Sequence, residues 1–146
     1  MPLNFMTALD IAASGLSAQR TNLNVISMNL ANINTTRTPE GGPYKRKTVI
    51  FRAAPLKWPF DNLMASRIEK EVKGVKVNRI EEEDRFKRVY DPDHPDADKE
   101  GYVLYPDVNV IEEMANMLTA LRSYEANLST ISTIKTMLNR AIDIGR

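Results

Sequence analysis

Two stretches of this chain lack proline, Leu3 to Thr38 and Asp107 to Arg146, and each carries apolar residues in alternating steps of four and three. That spacing keeps one stripe of a helix facing a partner helix, as in a coiled coil. In the first stretch Phe5, Leu9, Ala12, Leu16, Gln19, Leu23, Ile26, Leu30 and Ile33 follow it, with only Gln19 polar. In the last, Met114, Met117, Leu121, Tyr124, Leu128, Ile131, Lys135, Leu138 and Ile142 do the same, with Lys135 the misfit and apolar Ile134 beside it. Pro106 stops whatever precedes the second helix. Asp107 or Asn109 can cap it, with Glu112 in capping-box position after Asn109. Lys135 and Arg140 suit its negative C-terminal end. Asn4 as a cap and Asp10 near the positive end suit the start of the first helix. Helices of roughly 30 and 35 residues span about 45 and 50 Å.

All but Pro2 of the 8 prolines and most of the 6 glycines fall between these stretches, and so do most aromatic residues. Breakers of this kind mark turns and short strands. Tyr44 to Phe51 and Val72 to Ile80 read as strands, and Tyr102 to Tyr105 as a third. Asp61 to Lys70 reads as a helical turn or loop, and Asp91 to Lys99 as turn chemistry throughout. The sequence therefore predicts a mainly α chain with a small β unit. Its parts are an N-terminal helix over 1–36, a central β/loop region over 37–106 and a C-terminal helix over 107–146. The simplest partner for each heptad stripe is the other helix, which makes the pair an antiparallel coiled coil with the middle region projecting from one end.

Between Leu3 and Thr36 only Asp10 and Arg20 are charged, and the positions off the stripe hold Asn, Ser and Thr. A solvated helix favours Lys and Glu there. Asn, Ser and Thr hydrogen-bond without the penalty of burying a charge. Ala12, Ala13, Ser14 and Gly15 also make one turn thin enough for a close neighbour. This helix reads as one enclosed on several faces by other copies or partners.

Little in the chain reads as reaction chemistry. There is no cysteine, which removes disulfides, thiolate nucleophiles and Cys-ligated metal sites. The single histidine, His94, sits among Asp91, Asp93, Asp96 and Asp98, but Pro95 and Asp96 break the alternation of a calcium loop, so a solvated turn is expected. No G-x-S-x-G elbow accompanies His94, and Glu40-Gly41-Gly42-Pro43 lacks both phosphate-loop patterns. Lys45-Arg46-Lys47 is a weak nucleic-acid signal. It is offset by Glu81-Glu82-Glu83-Asp84, and both runs read as solvated or intersubunit charge. The formal net charge is +1, which gives no general attraction to nucleic acid or anionic lipid. No apolar run approaches the roughly 20 residues that cross a bilayer. No basic n-region and apolar core stand at the start, so no cleaved signal peptide is expected. No enzyme, metal, cofactor, nucleic acid or small-molecule substrate is expected.

Ser14-Gly15-Leu16-Ser17-Ala18-Gln19-Arg20, followed by Leu23 through Asn29, Asn32, Asn34 and Thr35, resembles the N-terminal signature of the bacterial flagellar axial proteins of rod, hook and hook-associated type. The continuation through Pro39, Gly41, Gly42, Pro43 and Tyr44 is similar to a proximal member of the basal-body rod proteins. The block from His94 to Asp98 and then Gly101 through Pro106, Asn109 and Met114 agrees, and Leu121 to Leu128 looks like the shared C-terminal signature. The resemblance implies a structural subunit of the flagellar basal-body rod that crosses the periplasm and transmits torque for motility. It further implies self-association, contacts with other rod proteins and with the rod base at the membrane ring, and passage through the flagellar type III export apparatus. The other reading kept open is a soluble coiled-coil adaptor or chaperone of a secretion system.

Overall fold

The computed structural model describes residues 5–55 and 73–144. Two helices, α1 (Phe5–Ala31) and α2 (Val110–Ile144), enclose four strands in sequence: β1 (Arg46–Pro55), β2 (Lys73–Glu83), β3 (Phe86–Tyr90) and β4 (Tyr102–Pro106). The expected cap at Asn4 and the segment Asp61 to Lys70 lie outside the described residues.

Helix α1 is shorter than its proline-free stretch. Asn32 ends it: its backbone N–H and its side-chain amide both donate to the Met28 carbonyl, at 3.1 and 2.8 Å, and its own carbonyl receives the Thr35 N–H. A side chain that caps a helix from within competes with continuing it. Ile33, expected as the last stripe residue, therefore sits in the turn beyond the helix. Asp10 lies past the first described turn of α1, beyond effective reach of the helix-end charge. Helix α2 starts where expected. The Asn109 Oδ1 accepts the N–H groups of Ile111 and Glu112 at 3.0 and 3.4 Å. Glu112 leans instead toward Arg46, 3.9 Å away. The last described turn of α2 carries no basic residue, so Lys135 and Arg140 lie short of the end they were expected to stabilise.

The helices pack side by side in opposite senses. Asn29, near the end of α1, bonds Glu113 at the start of α2, while Gly15 meets Asn127 further along. The stripe that α2 turns inward differs from the expected one. Glu113, Ala120 and Ile134 are its buried residues, with Asn127 half-buried on the same line. Met117, Tyr124, Ile131 and Leu138 form the other inward line and are half-buried, but Met114, Leu121 and Leu128 face outward at 54, 41 and 51% exposure. One of the two lines thus lies a residue earlier than the apolar count suggests. The reason is steric as much as hydrophobic: small Ala120 lets the helices approach, and the earlier line puts Ile134 inside in place of Lys135. On α1 the buried residues are Ala12, Ala18, Val25, Ile26 and Asn29. Leu9, Leu16, Leu23 and Leu30 flank that contact half-buried, and Phe5 is exposed.

Among the described residues the central region forms two separate two-stranded antiparallel sheets. In the first, β1 pairs with β2 from Arg46↔Glu83 to Pro55↔Lys73, with an irregularity between Ile50 and Phe51. In the second, β3 pairs with β4 from Phe86↔Pro106 to Tyr90↔Tyr102. Strand β3 was not foreseen, since Phe86-Lys87-Arg88-Val89-Tyr90 is too charged to read as a strand without its partner. The β1–β2 ladder runs on to Glu83 because basic residues meet acidic ones across it. Lys45 reaches Asp84 at 2.6 Å, Arg46 reaches Glu83 at 2.8 Å and Lys47 reaches Glu82 at 3.2 Å. The two charge runs are therefore partners within one chain.

Candidate functional site

Where the end of α1, the start of β1 and the first turn of α2 meet, a polar cluster is sealed from solvent. Asn29 and Glu113 are each only 1% exposed. Asn29 makes every hydrogen bond its amide allows. Its Nδ2 donates to the Lys47 carbonyl at 2.8 Å and to Glu113 Oε2 at 3.1 Å, and its Oδ1 accepts the Tyr44 hydroxyl at 3.0 Å and the Lys47 N–H at 2.9 Å. The Lys47 contacts imitate one rung of a sheet, so a side chain of α1 completes the edge of β1. Glu113 Oε1 receives Arg46 Nε at 2.9 Å and Nη2 at 2.6 Å. The Arg46 Nη1 turns to Glu83 at 2.8 Å and to Thr48 at 3.3 Å. A buried charge with its hydrogen bonds satisfied is tolerated, whereas an orphaned one is costly.

The electrostatics follow from this arrangement. Burial pulls the Arg46 guanidinium toward losing its proton, but the carboxylates of Glu113, Glu83 and Glu112 outweigh it and hold it above its ordinary value. Burial pushes the Glu83 carboxyl up, yet the hydrogen bonds from Arg85 and Thr48 and the charge of Arg46 bring it below the usual carboxylate range. Burial, with the negative charges of Glu82 and Glu113, raises the Tyr44 hydroxyl. These are the features of a structural junction, in which charges are clamped rather than poised to move protons.

The signature residues concentrate around this junction and along α1. Ser14 donates to the Ile11 carbonyl at 2.7 Å and accepts the Val75 N–H at 3.1 Å, tying α1 to β2. Gly15 makes room for Asn127. Asn32 and Thr35 shape the turn after α1, bonded to each other at 3.2 Å, and the Tyr44 N–H returns to the Thr35 carbonyl at 3.0 Å. Gly41 and Gly42 both adopt positive φ, 92° and 75°, in the turn closed by the Thr38 N–H on the Gly42 carbonyl. Only glycine adopts that conformation without strain. Pro43 is half-buried and Pro106 buried, Asn109 caps α2, and Asn34 and Pro39 face solvent. The sequence reading missed Arg46, Glu83 and Glu113 as a unit. The Lys135 misfit was the available signal, because counting back by sevens from its neighbour Ile134 arrives at Glu113.

Other candidate residues resolve into structure. In the acidic loop Asp96 accepts the Thr36 hydroxyl at 2.8 Å, and Asp98 Oδ1 accepts the N–H groups of Glu100 and Tyr102 at 2.9 Å each. The His94 Nδ1 accepts the Asp96 N–H at 3.1 Å, and its ring lies edge-on to Tyr105. Among the described residues no three His, Asp or Glu side chains converge as metal ligands, and no helix is long and apolar enough to cross a membrane.

Outward from the junction, α2 exposes a second apolar ridge. Ile111, Met114, Leu118 and Leu121 recur at three- and four-residue steps on its solvent side, with Leu128 seven residues further on. Contiguous exposed apolar surface of this kind marks an interaction face. Beside the junction, α1, α2 and β1 leave a half-open cleft of about 290 Å³ whose rim includes Gln19, Asn22, Asn116, Thr119 and Ser123.

Comparison with known proteins finds matches at both ends of the chain and over nearly its full length. Residues 9–37 match the family model described as "Flagella basal body rod protein", and residues 99–144 match "Flagellar basal body rod FlgEFG protein C-terminal". The chain is 41% identical to the flagellar basal-body rod protein FlgC of Borreliella burgdorferi, over 97% of this chain and 98% of that one. It is 40% identical to FlgC of Bacillus subtilis, covering 95% and 97%. With FlgC of Salmonella typhimurium it shares 39% identity over 97% and 98%. On the strength of these full-length likenesses and both terminal models, the chain belongs to the FlgC family of flagellar basal-body rod proteins.

Proposed function

We propose that this chain is a structural subunit of the bacterial flagellar basal-body rod that joins its neighbours through its terminal helices. The observation that carries this is the agreement of nearly the whole chain with FlgC proteins at about 40% identity. The exposed ridge of α2 supports it physically. Ile111, Met114, Leu118, Leu121 and Leu128 are 41–80% exposed, and burying the remaining surface of each stabilises an assembly by about 1 kcal/mol. The low charge of α1 fits the same picture, since its outer Asn, Ser and Thr side chains hydrogen-bond neighbours without desolvating a charge.

In this reading α1 and α2 act as an antiparallel coiled coil, and Leu9, Leu16, Leu23, Leu30, Met114, Leu121 and Leu128 contact neighbouring subunits in addition to the pair's own seam. The helices over 1–36 and 107–146 form the axial part of the subunit, and 37–106 forms the lateral part. Partners are further copies, other rod proteins and the rod base at the membrane ring. The subunit reaches the periplasm through the flagellar type III export apparatus, and it passes torque rather than catalysing a reaction. The adaptor or chaperone reading gains nothing from the relatives, which are rod proteins by name.

The test is replacement of the gene by a deletion, followed by electron cryo-microscopy of isolated basal bodies. Loss of the rod and of motility, restored by the intact gene, together with density for this chain whose termini face the axis, is the expected result. Normal flagella in the deletion strain would reject the reading.

A further inference from the structure

A repeating 4-3 stripe has a weakness: sliding one helix by seven residues, about 10 Å, returns a similar apolar contact. Two contacts, one polar and one steric, break that degeneracy here. Asn29 bonds Glu113 at 3.1 Å with both side chains sealed from solvent, and Asn127 fits against Gly15, the one glycine of α1. The spacing matches, since fourteen residues separate Gly15 from Asn29 and fourteen separate Glu113 from Asn127. Sliding one way sets Glu113 level with Asn22 and Asn127 level with Ala8, where a methyl group occupies the space that Gly15 leaves open. Sliding the other way sets Asn29 level with Ala120, which has nothing to bond its amide.

We infer that Asn29, Glu113, Gly15 and Asn127 form a register code for the helix pair, selecting one of several apolar alignments rather than supplying most of the stability. A polar residue in an otherwise apolar stripe is the known device for fixing alignment. Replacing a buried charged cluster with apolar side chains is often neutral for stability, so register and stability separate in an experiment. The code also fixes the β unit. The Lys47 backbone and Arg46 are bound by Asn29 and Glu113 themselves, so an aligned pair seats β1 and a slipped pair releases it.

The chain has no cysteine, so pairs introduced for cross-linking report alignment cleanly. Gln19→Cys with Ser123→Cys are level in the observed alignment and line the same cleft. Gln19→Cys with Asn116→Cys, or with Thr130→Cys, are level after a slip of one heptad in either sense. In the full-length chain otherwise unchanged, the first pair should oxidise at least about tenfold more completely than either other pair. With Asn29→Leu, Arg46→Met, Glu113→Leu and Asn127→Ala added, so that no charge of the cluster is left without its partner, helicity by circular dichroism should hold while that preference falls to about threefold or less. With Glu113→Gln, which keeps an acceptor for the Asn29 amide, the preference should stay. An undiminished preference in the apolar variant overturns the inference. So does loss of its helicity, because the cluster would then hold the fold rather than the alignment. Absence of the first product in the unmodified background overturns it as well.

Discussion

A Cβ placed on Gly15 would stand 3.0 Å from the side-chain amide nitrogen of Asn127. Alanine in a helix interior is worth about 1 kcal/mol over glycine, so this glycine is retained against local preference. Gly15→Val should destabilise the helix pair by about 1–3 kcal/mol through overpacking. The loss should shrink when Asn127→Ala is present, because the two side chains compete for one space. Thermal or urea unfolding of the four members of that double-mutant cycle measures the coupling. Additive effects would show that Asn127 yields freely.

Glu113→Ala should be the most damaging single change at the junction. It strips Arg46 of its shortest partner and leaves one Asn29 N–H unmet, at a cost of about 3–5 kcal/mol. Tyr44→Phe removes only one of the two donors to Asn29 Oδ1 and should cost about 1 kcal/mol. Chemical denaturation that ranks these two in the opposite order would show that the buried charge is not the keystone of the cluster.

Acid should loosen the same region. The Glu83 carboxyl is held below its ordinary value of 4.5, so the folded chain binds this proton less readily than the unfolded one. The stabilisation is fully present above pH 4.5 and is lost as pH falls through the lower, folded value. Unfolding midpoints measured from pH 6 downward should therefore decline below that point, and Glu83→Gln should flatten the decline. An identical acid profile in the variant would assign the loss to other carboxylates.

Charge placed on the two sides of α2 should have different consequences. Ile134 is buried against α1, so Ile134→Asp should disrupt the pair by several kcal/mol and reduce helicity. Leu128 is half in water already, so Leu128→Asp should leave the isolated chain folded while abolishing incorporation into the rod. Circular dichroism with a motility assay separates the two. Wild-type motility in the Leu128 variant would remove this ridge from the assembly surface.

Both helices, the capping of α2 by Asn109 and three of the four strands were legible in the sequence, because periodicity, proline and turn residues act locally. The face that α2 turns inward was harder to read. Leu121 is more apolar than Ala120 and Met114 more apolar than Glu113, so a count of hydrophobic residues selects the wrong one of two adjacent lines. The close fit rewards a small side chain at 120 and a hydrogen-bonded carboxylate at 113, and neither preference is visible without the neighbour. Strand β3 was hidden for a similar reason: Arg88 stands between Phe86 and Tyr90 on one face and Lys87 beside Val89 on the other, so neither face reads as apolar, and Arg88 is held over the Tyr102 ring at 4.5 Å only once β4 has paired. The junction joined residues 67 and 84 positions apart, which no local signal records.

That separation governs the order in which the molecule can come together. Asn29 leaves the ribosome long before Glu113, so through most of synthesis α1 lacks its carboxylate partner. Contacts between residues so distant in sequence form slowly, because a long loop must close first. The helix pair is therefore a late event, and a chain that is still arriving, with its N-terminal third complete, has no finished core to prevent it from remaining extended.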